Sequence, residues 1–387
     1  MKLKAFKFKL KPNKKQQVFI NKNIGSCRFI YNQMLAERKD KYENKDKSKY
    51  KTEKKYKEEF EFLKESDSSS LQQVRIDLDQ AYKNFFKRIK KKQKVSLKFK
   101  SRKNLKQSYR TINNYNCVRI KDNYIRIPKI GFVKFKKSRE VEGIIKSITI
   151  LKNILNQYFV SILCEVEIKK LPKIDKNAGI DLGIKEFCIT SDNKKEPNPK
   201  YYRKLEPKLK KAQRVLSRRK KGSKRREKAR KKVFKIHQKI ANQRLDFLHK
   251  LSTKLINENQ VICLEDLSVE NMIKNHCLAK SIADASWSKF VEFLKYKADW
   301  YGRELVQIDK FFPSSKMCSN CGNIKKDLTL KDREYCCDSC KITIDRDYNA
   351  SLNILKEGLR ILKERKSNSC WTGSDSSINI RTIVLSS

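Results

Sequence analysis

The sequence predicts an α/β chain in which a helical segment interrupts an N-terminal β-domain and a cysteine-rich insert lies near the C-terminal end. Three observations predict it. Apolar residues recur at period two over residues 2–10 and again between Val95 and Val166, with a helical period in between. A short continuous apolar run, QVICLEDL at residues 260–267, has the pattern of a strand covered on both faces. Two CxxC pairs fall within residues 318–340.

Residues 2–10 read as a strand because Leu3, Ala5 and the Phe6/Phe8 pair alternate with lysines, and Pro12 stops it. Asn13 can cap a helix starting at the next residue. To about Lys90 the spacing is three and four, through Ile20, Phe29, Ile30, Met34, Leu71, Val74, Leu78, Tyr82 and Phe85, with a polar break at residues 66–70. Segments such as YIRIPKIGFVKF and YFVSILCEVEI then predict a small antiparallel sheet or barrel. Residues 208–235 hold 16 Lys or Arg and one acid, Glu227. A run of this kind is either a solvated helix face or a helix laid along a phosphate backbone, and Lys220, Lys221, Arg225 and Arg226 are its candidate phosphate contacts. The Ser-rich, aperiodic residues 366–387 are expected to be disordered.

Charge points to the partner. The 387 residues contain 94 Lys+Arg and 43 Asp+Glu, a formal net charge of +51. Self-repulsion of that size is offset by a long polyanion. Hydrophobic residues at 38% exclude a purely disordered basic tail. No stretch reaches the roughly 18 apolar residues of a membrane span, and the N-terminus alternates charged and apolar residues, unlike a signal peptide. A soluble intracellular protein is expected, with its 12 cysteines reduced.

Three carboxylates stand out. In NAGIDLGIKEF, Asp181 lies on the strand face opposite Ala178, Ile180 and Leu182, between Gly179 and Gly183, which would let a bulky ligand approach closely. The run QVICLEDL ends at Glu265 and Asp266, and the carboxyl end of a buried strand is where α/β folds place ligand groups. Asp347 precedes a helix with an apolar stripe through Ala350, Ile354, Leu355, Leu359 and Leu362, so its plain alternative is an N-cap; Asp345 competes for the same role. Together, Asp181, Glu265 and Asp347 could hold two Mg²⁺ ions for in-line phosphodiester displacement. Cys318, Cys321, Cys337 and Cys340, with 15 residues between the pairs, fit one structural Zn²⁺; adjacent Cys336 is the substitute ligand.

The succession AGIDLG, basic helical stretch, CLEDL, then CxxC…CxxC running into DRDYNASLNI resembles TnpB, the transposon-encoded RNA-guided DNA endonucleases related to type V CRISPR effectors, over nearly the whole chain to about residue 365. The early CRFIYNQML, and LQQVRIDLDQAYKNFF before a KFK element, belong to the same likeness. The resemblance implies a RuvC-like nuclease domain of RNase H fold over residues 173–310 and 344–365, with Asp181, Glu265 and Asp347 as catalytic acids binding magnesium. It also implies a wedge β-barrel gripping guide RNA over 1–10 and 95–172, a helical recognition domain over 11–94, and a zinc insert over 311–343 that contacts target DNA. The guide would derive from the transposon end, and a target-adjacent motif would be read on double-stranded DNA. One departure is Leu97 where a proline often precedes KFK, and RNA contacts are not assigned to Lys98 or Lys100. Asn349 is expected to orient Asp347. A nucleoid-associated cytoplasmic location is implied as well, with the oligomeric state open. Two other readings remain: a nuclease-inactive RNA-guided repressor, and a transposase that works without guide RNA.

Overall fold

The computed structural model describes residues 1–329 and 332–371. The chain divides into two compact units between Ile168 and Lys169. In the first, β1 (Lys2–Leu10) is followed by α1 (Lys14–Glu43), α2 (Glu53–Glu59) and α3 (Ser68–Lys90). Six strands complete it: β2 (Lys106–Ile112), β3 (Ile120–Lys121), β4 (Tyr124–Ile127), β5 (Gly131–Lys136), β6 (Ile144–Asn153) and β7 (Tyr158–Val166). All pairs are antiparallel, in the order β2-β6-β7-β1-β5-β4-β3. The first strand in sequence thus sits inside the sheet, and the helices are an insertion.

Two details differ from the sequence reading. Of the sheet or barrel expected, the structure has a seven-stranded sheet with edges at β2 and β3, and its strands resume at Lys106, later than Val95. On β1 the buried set is Phe6, Phe8 and Leu10, while Leu3 is exposed: side chains alternate faces, and only the even positions meet the core. The start of α1 is fixed by a capping box in which Asn13 and Gln16 bond each other's backbone N–H. Asp67 caps α3 and also accepts from Thr111 Oγ1 at 2.7 Å, tying that helix to β2.

The second unit begins with β8 (Asn177–Leu182), β9 (Glu186–Thr190) and β10 (Lys195–Pro197), then α4 (Tyr201–Ser217), α5 (Lys224–Glu258) and β11 (Val261–Glu265). It continues through α6 (Val269–Met272), α7 (His276–Ala285), α8 (Trp287–Tyr301) and β12 (Glu304–Ile308) to the short β13 (Glu334–Cys336), β14 (Thr343–Asp345) and α9 (Arg346–Trp371). Five strands form a mixed sheet ordered β10-β9-β8-β11-β12, in which β8, β11 and β12 run parallel. Helices cover both faces. Ile180, Ile262 and Leu264 pack with Leu251, Phe290 and Leu294 of α5 and α8, whereas Val261, Cys263, Val306 and Ile308 pack with Ile354 of α9. This is why the β11 run is apolar at every position: a period-two pattern with both faces buried reads as continuous.

The basic run is not the single long helix the sequence reading expected. It is a helical hairpin, α4 packed on α5, whose turn at residues 218–223 includes Gly222 at φ +87°. At the other end, α9 continues through Trp371, so the stretch expected to be disordered from residue 366 starts as helix; residues 372–387 lie outside the described residues.

Candidate active site and metal centre

Strand register brings the first two acids together. In the β8–β11 ladder Cys263 pairs with Gly179 and Leu264 with Ile180, so Glu265 and Asp181 fall next in the same parallel register. Neighbouring strands lie about 4.8 Å apart. Side-chain alternation turns both carboxyls to the α9 side, because Gly179 and Cys263, two residues earlier, face that helix.

The close approach of α9 depends on two glycines. A Cβ on Gly179 would lie 2.1 Å from Ser351 O and 2.6 Å from Leu355 N, and one on Gly358 would lie 2.3 Å from Cys263 Sγ. The glycine beside Asp181 therefore admits the protein's own helix, which corrects the expectation of space for a ligand. With α9 drawn onto β8 and β11, Asp347 in its first turn comes close enough to act on the Asp181 carboxyl.

The charges act on one another. Burial, reinforced by Glu265 and then Asp347, pushes the Asp181 carboxyl up to about 8. Burial raises Glu265 too, against a hydrogen bond from the Ser314 hydroxyl to its Oε1. Asp345 differs. Its Oδ1 accepts from the backbone N–H of Asp347 and Tyr348, each at 3.0 Å, and its Oδ2 accepts from Lys195 Nζ at 2.7 Å. Burial alone would raise this carboxyl, but Lys195 and the two amides outweigh it and hold it below its usual range. The N-cap weighed for Asp347 is thus Asp345, and the Asp347 side chain is not the cap.

The cysteines converge as the spacing predicts. Ligand atoms of Cys318, Cys321, Cys337 and Cys340 all lie within 4.8 Å of one another, and no other set of three or more potential ligands draws as close among the described residues. Sγ–Sγ separations of 3.6 Å (Cys318–Cys340) and 3.5 Å (Cys321–Cys337) are far beyond a disulfide bond. They approach the ~3.8 Å edge of a tetrahedron built on ~2.3 Å metal–sulfur bonds. Backbone N–H groups of the β13–β14 turn lower the Cys337 and Cys340 thiols, the latter to about 6, while burial pushes Cys318 up to about 11. Cys336 lies outside the cluster, exposed on β13 with Thr343 Oγ1 at 3.5 Å.

Lys220 and Lys221 are exposed in the hairpin turn, and Arg225 is exposed in the first turn of α5. Arg226 turns inward: its guanidinium donates to Leu216 O (2.9 Å) and Arg219 O (2.8 Å), closing the hairpin. Asn349 also departs from expectation. It is fully buried, accepts from Ser319 N at 2.9 Å and donates to Met317 O at 2.7 Å, so it holds the first cysteine loop and not Asp347. Sequence reasoning missed Ser314 and Asn353, which bear on Glu265 through this loop. Polar residues at four-residue spacing on an apolar helix face (Asn349, Asn353) were the available signal.

A family model described as "Probable transposase" matches residues 161–276, and "Cas12f1-like, TNB domain" matches residues 287–354. A protein of Streptomyces pristinaespiralis named "Putative RNA-guided DNA endonuclease" is 37% identical over 366 residues, covering 92% of this chain and 89% of the relative. The chain belongs to the TnpB family. A second TnpB-family relative, the similarly named InsQ of Escherichia coli, is 30% identical with 93% of each chain covered. In fold, this TnpB-family chain resembles Cas12f1 in a complex with sgRNA and target DNA, with a TM-score of 0.52 at 15% identity over 88% of this chain and 82% of that one. A "Helix-turn-helix domain" model also matches residues 1–47, where the structure has a strand and one 30-residue helix.

Among the described residues, no helix is long and apolar enough to cross a membrane.

Proposed function

We propose that this protein is an RNA-guided DNA endonuclease encoded with a transposon, cutting target DNA at a RuvC-like centre made by Asp181, Glu265 and Asp347. The observation that carries the reading is the convergence of three acids at the carboxyl ends of β8 and β11 and the start of α9, within a chain of net charge +51. Ionising Asp181 beside Glu265 and Asp347 is costly unless a cation joins them; the donor set is all oxygen, which fits hard divalent ions such as Mg²⁺, two of which would suit it. Bound there, such ions would supply water activation and charge neutralisation for phosphodiester hydrolysis.

The chain's own residues do the rest. Asp181 must release its proton before it can act as a ligand, and burial, reinforced by Glu265 and Asp347, delays that release. Asp345 and Lys195 fix the start of α9 and so the place of Asp347. Four thiol ligands fit one Zn²⁺, held by Cys318, Cys321, Cys337 and Cys340, in an insert that would touch target DNA. Exposed Lys220, Lys221 and Arg225 would contact phosphates, the open sheet of residues 1–10 and 95–172 would hold a guide RNA from the transposon end, and the helices of 11–94 would track the guide–target duplex.

The test is guide dependence. The protein is purified from its native locus, its RNA is sequenced, and cleavage of a matched duplex is compared with and without that RNA. RNA from the transposon end and cleavage only when it is present support the reading. Equal cutting or joining by RNA-free protein refutes it.

A further inference from the structure

The segment between β12 and the first cysteine pair links the two clusters. It leaves β12 at Ile308, the register partner of Glu265, and turns back so that Ser314, 6% exposed, donates its hydroxyl proton to Glu265 Oε1. A neutral donor suits this place: it fixes one oxygen of the carboxylate, leaves the other free, and adds no positive charge to repel a cation.

Ser314 is itself held from α9. Asn353 donates to Ser314 O at 2.8 Å and to Met317 O at 2.7 Å; Asn349 donates to the same Met317 carbonyl at 2.7 Å and accepts from Ser319 N; Lys356 donates to Ser319 O. Asn349, Asn353 and Lys356 succeed one another at spacings of four and three, on one face of α9. Asn349 and Asn353 are buried, so the carbonyls they satisfy have no ready substitute in water. One loop therefore carries the Glu265 partner at one end and Cys318 and Cys321 at the other.

We infer that Ser314 is a positioning residue that holds Glu265 ready to bind a divalent cation, and that an occupied four-cysteine cluster supports it through the loop clamped by Asn349, Asn353 and Lys356. This rests on the reading of Asp181, Glu265 and Asp347 as a divalent-ion site.

The test is Mn²⁺ binding to the full-length protein, monitored by paramagnetic resonance, beside steady-state cleavage. Ser314→Ala is expected to weaken Mn²⁺ binding about tenfold or more, the usual scale for a lost outer partner of a metal ligand. It should lower kcat, not target-DNA affinity, and leave zinc content unchanged. Ser314→Thr and Ser314→Val differ only in the hydroxyl and cover the case where alanine unfolds the loop; threonine should retain Mn²⁺ binding and valine lose it. Asn353→Ala and Cys321→Ser should each weaken Mn²⁺ binding as well. Mn²⁺ affinity within twofold of wild type in both Ser314→Ala and Ser314→Val overturns the positioning role, and unchanged affinity in zinc-free Cys321→Ser overturns the link to the cysteines. Glu265→Ala is the control: if it too binds Mn²⁺ normally, the divalent-ion reading itself fails.

Discussion

Replacing Asp181 by Asn should stabilise the protein in the absence of divalent cations, by an amount that grows as pH rises from about 4 to about 8. In the folded chain the Asp181 carboxyl is raised from 3.8 to about 8, first by burial, then by Glu265 and Asp347. The folded state therefore keeps a proton that the unfolded state releases near pH 4. Stability is lost as pH rises from about 4 to about 8 and stays lost above. A rise of about four pH units, at about 1.36 kcal/mol each, sets an upper bound of roughly 6 kcal/mol. Partial solvent access at Asp181 and relaxation of its neighbours reduce this, and we expect about 2–3 kcal/mol at pH 8.5. For a unit of this size that is a Tm increase of about 4–12 °C. The assay is thermal unfolding of wild type and Asp181→Asn in Mg²⁺-free buffer, with zinc left in place, at pH 5 and 8.5. The difference should be small at pH 5 and largest at pH 8.5, where adding Mg²⁺ should stabilise wild type far more than the variant. A difference independent of pH, or a variant less stable than wild type at pH 8.5, refutes the argument.

The remaining predictions concern other parts of the site. Asp181→Ala, Glu265→Ala and Asp347→Ala should each abolish cleavage while target binding stays within a few fold; Asp345→Ala should still cleave, at a stability cost of about 1 kcal/mol for the lost cap, as melting curves would show. Cleavage lost in Asp345→Ala and kept in Asp347→Ala would reverse that assignment. Gly179→Ala places a methyl 2.1 Å from Ser351 O, and α9 must move; we expect about 3 kcal/mol or more of destabilisation in urea, with cleavage lost alongside. Cys337→Ser should release zinc by elemental analysis, and Cys336→Ser should not. Neutralising Lys220, Lys221 and Arg225 should reduce the salt slope of nucleic-acid binding by about one per lost phosphate contact, whereas Arg226→Ala should mainly lower the melting temperature.

Much of the site was legible because its signals are local. Two CxxC pairs at tetrahedral spacing, a continuous apolar run ending in acid, and a charge excess of +51 each depend on residues close in sequence or on composition alone. The capping box at Asn13 is of the same kind. What was misread involved partners distant in the chain. The glycines of AGIDLG suggested an opening, yet the atom that a Gly179 methyl would strike belongs to Ser351, 172 positions away. Asp347 and Asp345 are indistinguishable by spacing, and Lys195 and the helix amides separate them. Arg226 looked like its basic neighbours until the hairpin turned it onto the carbonyls of Leu216 and Arg219. By itself the sequence determined the main strand and helix segments, which thiols can meet and how basic the chain is, since propensity, periodicity and net charge are properties of the chain. Only the tertiary structure decided that Asp345 caps α9 and that the Ser314 hydroxyl reaches Glu265, because these depend on the packing of α9 and on the register of β11 with β12, and each requires segments far apart in sequence to come together first.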